Sequence, residues 1–161
     1  YLSGVNCMDA DSRAPAAFIG IDCDATVHSM YRAVLEGLSF ETRSNMRLFD
    51  EANMEVRRVV ASGGGAKSGL FMQIKADVLE RSVSILDCSD SGVKGLAMIC
   101  AKAMGQFGTY REAADAFARM RAEIAPGRDY RARYAEYLRI ATALKALFRA
   151  VPGAPERNLN C

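Results

Sequence analysis

The stretch Val56-Arg-Arg-Val-Val-Ala-Ser-Gly-Gly-Gly-Ala-Lys-Ser68 runs directly into Gly69-Leu-Phe-Met-Gln-Ile-Lys-Ala-Asp-Val-Leu79, and together they decide how the rest of the chain is read. A short β-branched run ends in three glycines, and an amphipathic segment follows at once. Glycines between a strand end and a helix start let backbone N–H groups approach a ligand, because no Cβ stands in the way. The helix behind them presents unpaired donors and a partial positive charge, which suits phosphate or the polar edge of a nucleotide.

Working outward from this turn, residues 54–61 read as a strand and 67–80 as a helix with Leu70, Phe71, Ile74 and Val78 on one face. Val83-Ser-Ile-Leu86 reads as a second strand, which gives a strand–helix–strand crossover and a parallel pair. A helix over 93–106 is poor in polar residues and reads as one buried between layers, ended by Gly105 and Gly108. Thr109 caps a further helix over 110–122, with Glu112 near capping-box distance. Pro126-Gly127 breaks the chain before a last helix over 130–151. There Tyr130, Tyr134, Tyr137, Leu138, Ala141, Leu144 and Phe148 form a stripe expected to pack as core. On the N-terminal side, residues 1–27 read as loop with one short strand at 17–21. They are followed by a helix over 28–53 capped by Asp24 or Thr26, with Gly37 at a close packing contact. Residues 152–161 read as a frayed tail. Two strands alone leave both sheet edges open, so further strands are expected, either from the opening loop or, as the favoured alternative, from outside the chain.

At 161 residues the chain has the size of one domain, with half its residues hydrophobic and a net charge of +2. Basic residues are scattered, which argues against nucleic acid and against a membrane surface as partners. No apolar run approaches the ~18 residues of a membrane span. Tyr1 is not an initiator methionine and no signal sequence follows it, so the chain reads as beginning in mid-sequence. The five cysteines form no CxxC pair and there is a single histidine, His28, which argues against a zinc site. Reduced thiols in a cytoplasmic protein are expected, with Cys88 and Cys100 buried. Asp9, Asp11, Asp22 and Asp24 read as solvated loop carboxylates.

Three glycine motifs compete for the turn. A phosphate-wrapping Gly-x-x-x-x-Gly-Lys-Ser loop fails, because both anchoring glycines are alanine, Ala61 and Ala66. A dinucleotide fingerprint keeps Gly63-x-Gly65 and Asp87 near the end of the next strand, but its third glycine is Ser68. The third motif is an adenosine-binding turn. Ala61-Ser-Gly-Gly-Gly-Ala-Lys-Ser68, followed by Gln73 and Ala76-Asp77, resembles the C-terminal domain of the FGGY carbohydrate kinases. Tyr1-Leu-Ser-Gly4, Ala17-Phe-Ile-Gly-Ile21, Tyr31-Arg-Ala-Val-Leu-Glu-Gly37 and the tyrosine-rich last helix match the family in order along nearly the whole chain. Pentulose (xylulokinase-like) and polyol kinases look nearest. The chain departs from the family at Val5-Asn-Cys-Met8, at Ser29 and at Leu96 of Gly95-Leu-Ala97.

The resemblance implies a partial actin-like ATPase (ribonuclease H-like) domain of α/β class. Residues 1–151 would be the C-terminal part of the nucleotide-binding domain: a loop-rich opening at 1–27, a strand and helix core at 28–108, and C-terminal helices at 109–151. It implies a two-domain enzyme that transfers the γ-phosphoryl of ATP to a sugar or polyol hydroxyl with an Asp base and Mg²⁺. The sugar-binding N-terminal domain, the catalytic Asp and the phosphate hairpins would precede Tyr1, so no catalytic or metal residue is assigned in this chain, which alone would be inactive. Gly64, Gly65 and Ala66 would face the nucleotide, Lys67 and Gly69 would lie near its base or ribose, and Gly63 would shape the turn. Glu36 would be a structural hydrogen-bonding residue, and Asp77 would pair with a basic side chain. Expected partners are ATP or ADP, the sugar or polyol through the N-terminal domain, and a second copy of the chain as a candidate homodimer. The competing readings are a non-catalytic nucleotide-binding or interaction module of the same fold and, below it, an NAD-type unit.

Overall fold

The computed structural model describes residues 16–88 and 90–150, with side chains through residue 147. Residues 1–4, Asp9, Asp11, Cys7, Cys161, the Phe148 side chain and the 152–161 tail lie outside the described residues. Contacts divide the chain into two units, one of Arg57–Gly127 and one of the residues flanking it.

The central unit is built on a three-stranded sheet of order β1 (Val59–Ala61), β2 (Val83–Leu86), β3 (Met120–Ile124). β1 and β2 are parallel, with Val59 opposite Val83 and Ala61 opposite Ile85, as the crossover predicts. Only three of residues 54–61 form a strand, because the pairing begins at Val83 and β2 is four residues long. Between them stands helix α2 (Gly69–Leu79). Val83 and Ile85, alternate residues of β2, bury one face against Ala66, Met72 and Ala76, with Val59, Ala61, Phe71 and Ile124 packed around them. Ile74 and Val78 are fully enclosed, as expected, but Leu70 is 48 % exposed.

The largest departure is β3. Residues 110–122 read as one helix, but α4 (Tyr110–Phe117) stops at an extended Ala118, and Met120–Ile124 pairs antiparallel with β2. Exposed Met, Arg, Ala and Glu favour a helix by propensity; the open edge of β2 outweighs it by supplying backbone partners. The sheet thus has one strand more than the sequence suggests, and this strand comes from within the chain. Thr109 caps α4 as expected by accepting the Glu112 N–H, while the Glu112 carboxylate takes the N–H of Gly108, one residue short of a regular capping box.

Helix α3 (Ser91–Ala103) begins two residues earlier than expected, because Asp90 caps it by accepting the Val93 N–H at 3.0 Å. Gly105, with φ +76, follows its end. α3 is not buried between layers: Val93 is 65 % and Leu96 62 % exposed, Cys100 is exposed, and Ala101 is its one buried residue. An all-round apolar pattern reports that a helix can be covered, not what covers it.

The flanking unit pairs two long helices. α1 (Val27–Glu51) opens on a capping box in which Thr26 and Ser29 exchange side-chain-to-backbone bonds. α5 (Arg131–Ala150) follows Tyr130. Phe40 of α1 meets the rings of Tyr130, Tyr134 and Tyr137 at 5.2–6.1 Å, so the aromatic stripe packs as core. Gly37 is buried on the same face of α1. Residues 17–21 form no strand, having no pairing partner among the described residues; Phe18, Ile19 and Ile21 remain half exposed instead.

Candidate functional site

The parallel strands end side by side, and the chain leaves them in two turns. After β1, Ser62 leads into Gly63, whose φ of +81 and ψ of −166 belong to backbone that essentially only glycine adopts. A single 3₁₀ turn, Gly64–Lys67, follows, held by Ala66 N–H to Gly63 O and Ser68 N–H to Gly65 O, both at 3.2 Å. Ser68 then caps α2 by accepting the Phe71 N–H at 3.3 Å. After β2 the chain continues through Asp87 and Cys88 to the Asp90 cap of α3. Between these two turns lies an open cleft of about 630 Å³, at the carboxyl ends of β1 and β2. That is where open α/β sheets take their ligands.

Gly63, Ala66 and Lys67 line this cleft. The Ala66 side chain is buried in the core, so what it offers a ligand is backbone. Gly64, Gly65 and Gly69 are exposed on the same segment but are not part of the cleft wall. Their surroundings are informative. A Cβ at Gly65 would touch the Phe71 ring at 3.4 Å, an ordinary contact, and a Cβ at Gly64 or Gly69 would meet nothing within 4 Å. Backbone conformation therefore demands glycine at 63 alone. At 64 and 69 glycine leaves bare backbone on the outside of the turn, open to close approach by another molecule, while at 65 the Phe71 ring stands on the side a Cβ would take.

Further side chains join Lys67 and Asp87 there. With Lys94 and Arg121 the cleft has three cations, and with Asp90 two carboxylates. Lys94 Nζ donates to the Asp87 carbonyl at 3.1 Å, and Arg121 donates to the Ala66 carbonyl at 3.2 Å. Cys88 is half-buried in the wall rather than sealed in the core, and Cys100 is exposed, so neither is the buried thiol expected. Arg121 has no signal in the sequence, because Met120–Ile124 favours helix by propensity and becomes a strand only through pairing with β2. Lys94 and Cys88 flank the predicted helix start and were within reach of a spacing argument.

Gln73 and Asp77 stand apart from the cleft. The Asp77 carboxylate, fully buried, accepts from the Gln73 amide at 2.8 Å and from the Gly127 N–H at 2.7 Å, and Gln73 also donates to the Ala125 carbonyl. This pair latches the segment after β3 to α2. Glu36 is likewise structural: its buried carboxylate accepts from Tyr130 Oη and Arg32 Nε at 2.8 Å and from Arg133 at 3.1 Å. Burial, then the bond to Glu36, raises the Tyr130 pKa; the bonds to Tyr130 and then Glu36 raise that of Arg32. His28 is exposed at the start of α1. Among the described residues no three His, Cys, Asp or Glu side chains converge to hold a metal ion, and no helix is long and apolar enough to cross a membrane.

Residues 1–104 match the sequence profile of the FGGY family of carbohydrate kinases, C-terminal domain. The chain is 34 % identical over 126 residues to xylulose kinase of Bacillus subtilis (strain 168), a match covering 78 % of this chain and 25 % of that protein. It is 32 % identical over 120 residues to ribulokinase of Mycolicibacterium smegmatis, covering 74 % of this chain and 21 % of the relative. Among solved structures, xylulose kinase from Rhodospirillum rubrum aligns with a TM-score of 0.74 at 27 % identity, over 84 % of this chain and 28 % of that one. Plasmodium falciparum glycerol kinase with ADP shares the fold with a TM-score of 0.65 at 19 % identity, over 83 % of this chain and 27 % of that one. The chain spans about a quarter of the length of the curated relatives it matches.

Proposed function

Because the chain belongs to the FGGY family of carbohydrate kinases, we propose that it is the ATP-side portion of an enzyme that phosphorylates a sugar or polyol hydroxyl. The domain is of mixed α/β type with the actin-like ATPase fold of its structural neighbours; the ribonuclease H-like strand order belongs to the proposal. In this reading the adenosine end of ATP lies against the glycine turn. Gly64, Gly65 and Ala66 offer it backbone, Lys67 and Gly69 stand near the base or ribose, and Gly63 fixes the turn. Lys94, in the cleft wall, supplies positive charge toward the phosphates, which suits a reaction that works through positioning and charge stabilisation. The observation that carries the reading is the cleft at the carboxyl ends of β1 and β2, bordered by a turn whose outer glycines the fold itself does not require.

The catalytic base and the sugar contacts belong, on this reading, to sequence other than this chain. Mg²⁺ accompanies ATP in such transfer, but no group of described side chains fits a metal ion, so none is assigned to it. A ketopentose is the favoured acceptor, from the xylulose kinase and ribulokinase relatives. Calorimetric titration of the chain with ADP tests the reading: saturable heat is expected with ADP and none with NAD. Absence of heat at millimolar ADP would favour a scaffold module. NAD binding abolished by Asp87→Ala would favour the dinucleotide reading, which the place of Asp87 in the cleft supports.

A further inference from the structure

We infer that Arg121 is a positioning residue for the nucleotide-binding turn, an inference that rests on the nucleotide reading of the cleft. The turn is rich in glycine. Three successive glycines give it more conformational freedom to lose than any other residues would, and the bonds at its two ends, Ala66 N–H to Gly63 O and Ser68 N–H to Gly65 O, are both 3.2 Å. A contact from elsewhere in the unit restrains it. Arg121, on β3, reaches past β2 to the turn that follows β1 and donates to the Ala66 carbonyl at 3.2 Å. Ala66 carries its side chain in the core and its carbonyl on Arg121, so one residue of the turn is pinned at both ends.

A turn fixed before the ligand arrives spares the ligand the ordering cost. Arg121 therefore raises nucleotide affinity by holding backbone, and strand β3 has a part in the site although it carries none of the glycine motif. The same bond ties the antiparallel edge strand to the parallel pair at their ligand-binding end.

Two readouts on the chain test this. In hydrogen exchange without nucleotide, Arg121→Ala is expected to speed the Ala66 and Ser68 amides at least ~10-fold, with the α2 core amides unchanged. In calorimetry its ADP Kd is expected to rise about 3- to 10-fold, the range of a typical net hydrogen-bond contribution. Arg121→Lys, which keeps a long donor, is expected to restore most of both. Unchanged exchange at Ala66 and Ser68 in a folded Arg121→Ala chain would overturn the inference. So would weaker ADP binding with unaltered exchange, since Arg121 would then act on the ligand directly. If Arg121→Ala does not fold, Arg121→Gln carries the same comparison. Failure of the unmodified chain to bind ADP would overturn the nucleotide reading, while the exchange data would still decide whether Arg121 holds the turn.

Discussion

Gly63 and Gly64 are neighbours with opposite expected responses to alanine. At Gly63 the backbone lies at φ +81, ψ −166, and a Cβ would meet no atom within 4 Å, so the whole cost of Gly63→Ala is conformational. Such backbone costs an L residue on the order of 1–3 kcal/mol. At roughly 2–4 °C per kcal/mol for a chain of this size, the melting temperature should fall by ~2–12 °C. Gly64 lies outside the left-handed region, begins the 3₁₀ turn, and likewise has nothing within 4 Å of a built Cβ. Gly64→Ala restricts the unfolded chain without straining the folded one, which is worth about +0.4 to +1 kcal/mol. Its melting temperature should hold or rise by a few degrees. Yet the added methyl stands on the bare outer surface offered to the nucleotide, and ADP affinity should fall at least ~10-fold, equivalent to about 1.4 kcal/mol. Thermal unfolding and ADP calorimetry on both variants decide the matter. If Gly64→Ala bound ADP as well as the parent chain, the bare backbone at 64 would have no role in binding. If it melted well below the parent, the claim that the fold does not need glycine there would be wrong.

Tyr130→Phe removes a buried hydroxyl that donates to Glu36 and accepts from Arg32 at 2.7 Å, while leaving the ring on Phe40. Urea unfolding should show a loss of about 1–2 kcal/mol, and no loss would mean water replaces the hydroxyl at no cost. Asp129 accepts the guanidinium and the backbone N–H of Arg131, which hold its pKa down at about 2. A depressed carboxylate contributes stability above its unfolded pKa and loses it as pH falls through the folded one, so this contribution should fade between about pH 4 and 2. Carboxyl NMR should find the Asp129 midpoint near 2, and Arg131→Ala should move it back toward the ordinary range; an unmoved midpoint would refute the assigned cause. Cys23 and Cys100, both exposed, should alkylate faster than half-buried Cys88 in the cleft wall, and of these three described thiols ADP should slow only Cys88. Equal protection of all three would mean that ADP acts at no one place.

Much of the scaffold was legible because local signals and tertiary contacts agree. Val83-Ser-Ile-Leu86 is β-branched and alternates, and it forms a strand with the expected boundaries. The tyrosine stripe, the Thr26 and Thr109 caps and the glycine turn also stand where their chemistry puts them. β3 was not legible, because Met120-Arg-Ala-Glu-Ile124 carries helix-favouring residues and becomes a strand through pairing with β2, some 35 residues earlier in sequence. The exposure of α3 was not legible either, since periodicity marks an apolar face without naming its cover. In the site, the backbone half could be read from its glycines. Its cationic half could be read only in part: Lys67 stands in the motif, but Arg121 reaches the cleft from a strand the sequence hides.

The most direct test of an adenosine-contacting turn is residue-resolved hydrogen exchange of the chain with and without saturating ADP. ADP is expected to protect amides at 64–69 and, across the cleft, at 87, 88 and 90–94, while leaving the amides of α1 and α5 unchanged. Protection absent from 64–69, or confined to α1 and α5, would contradict the account.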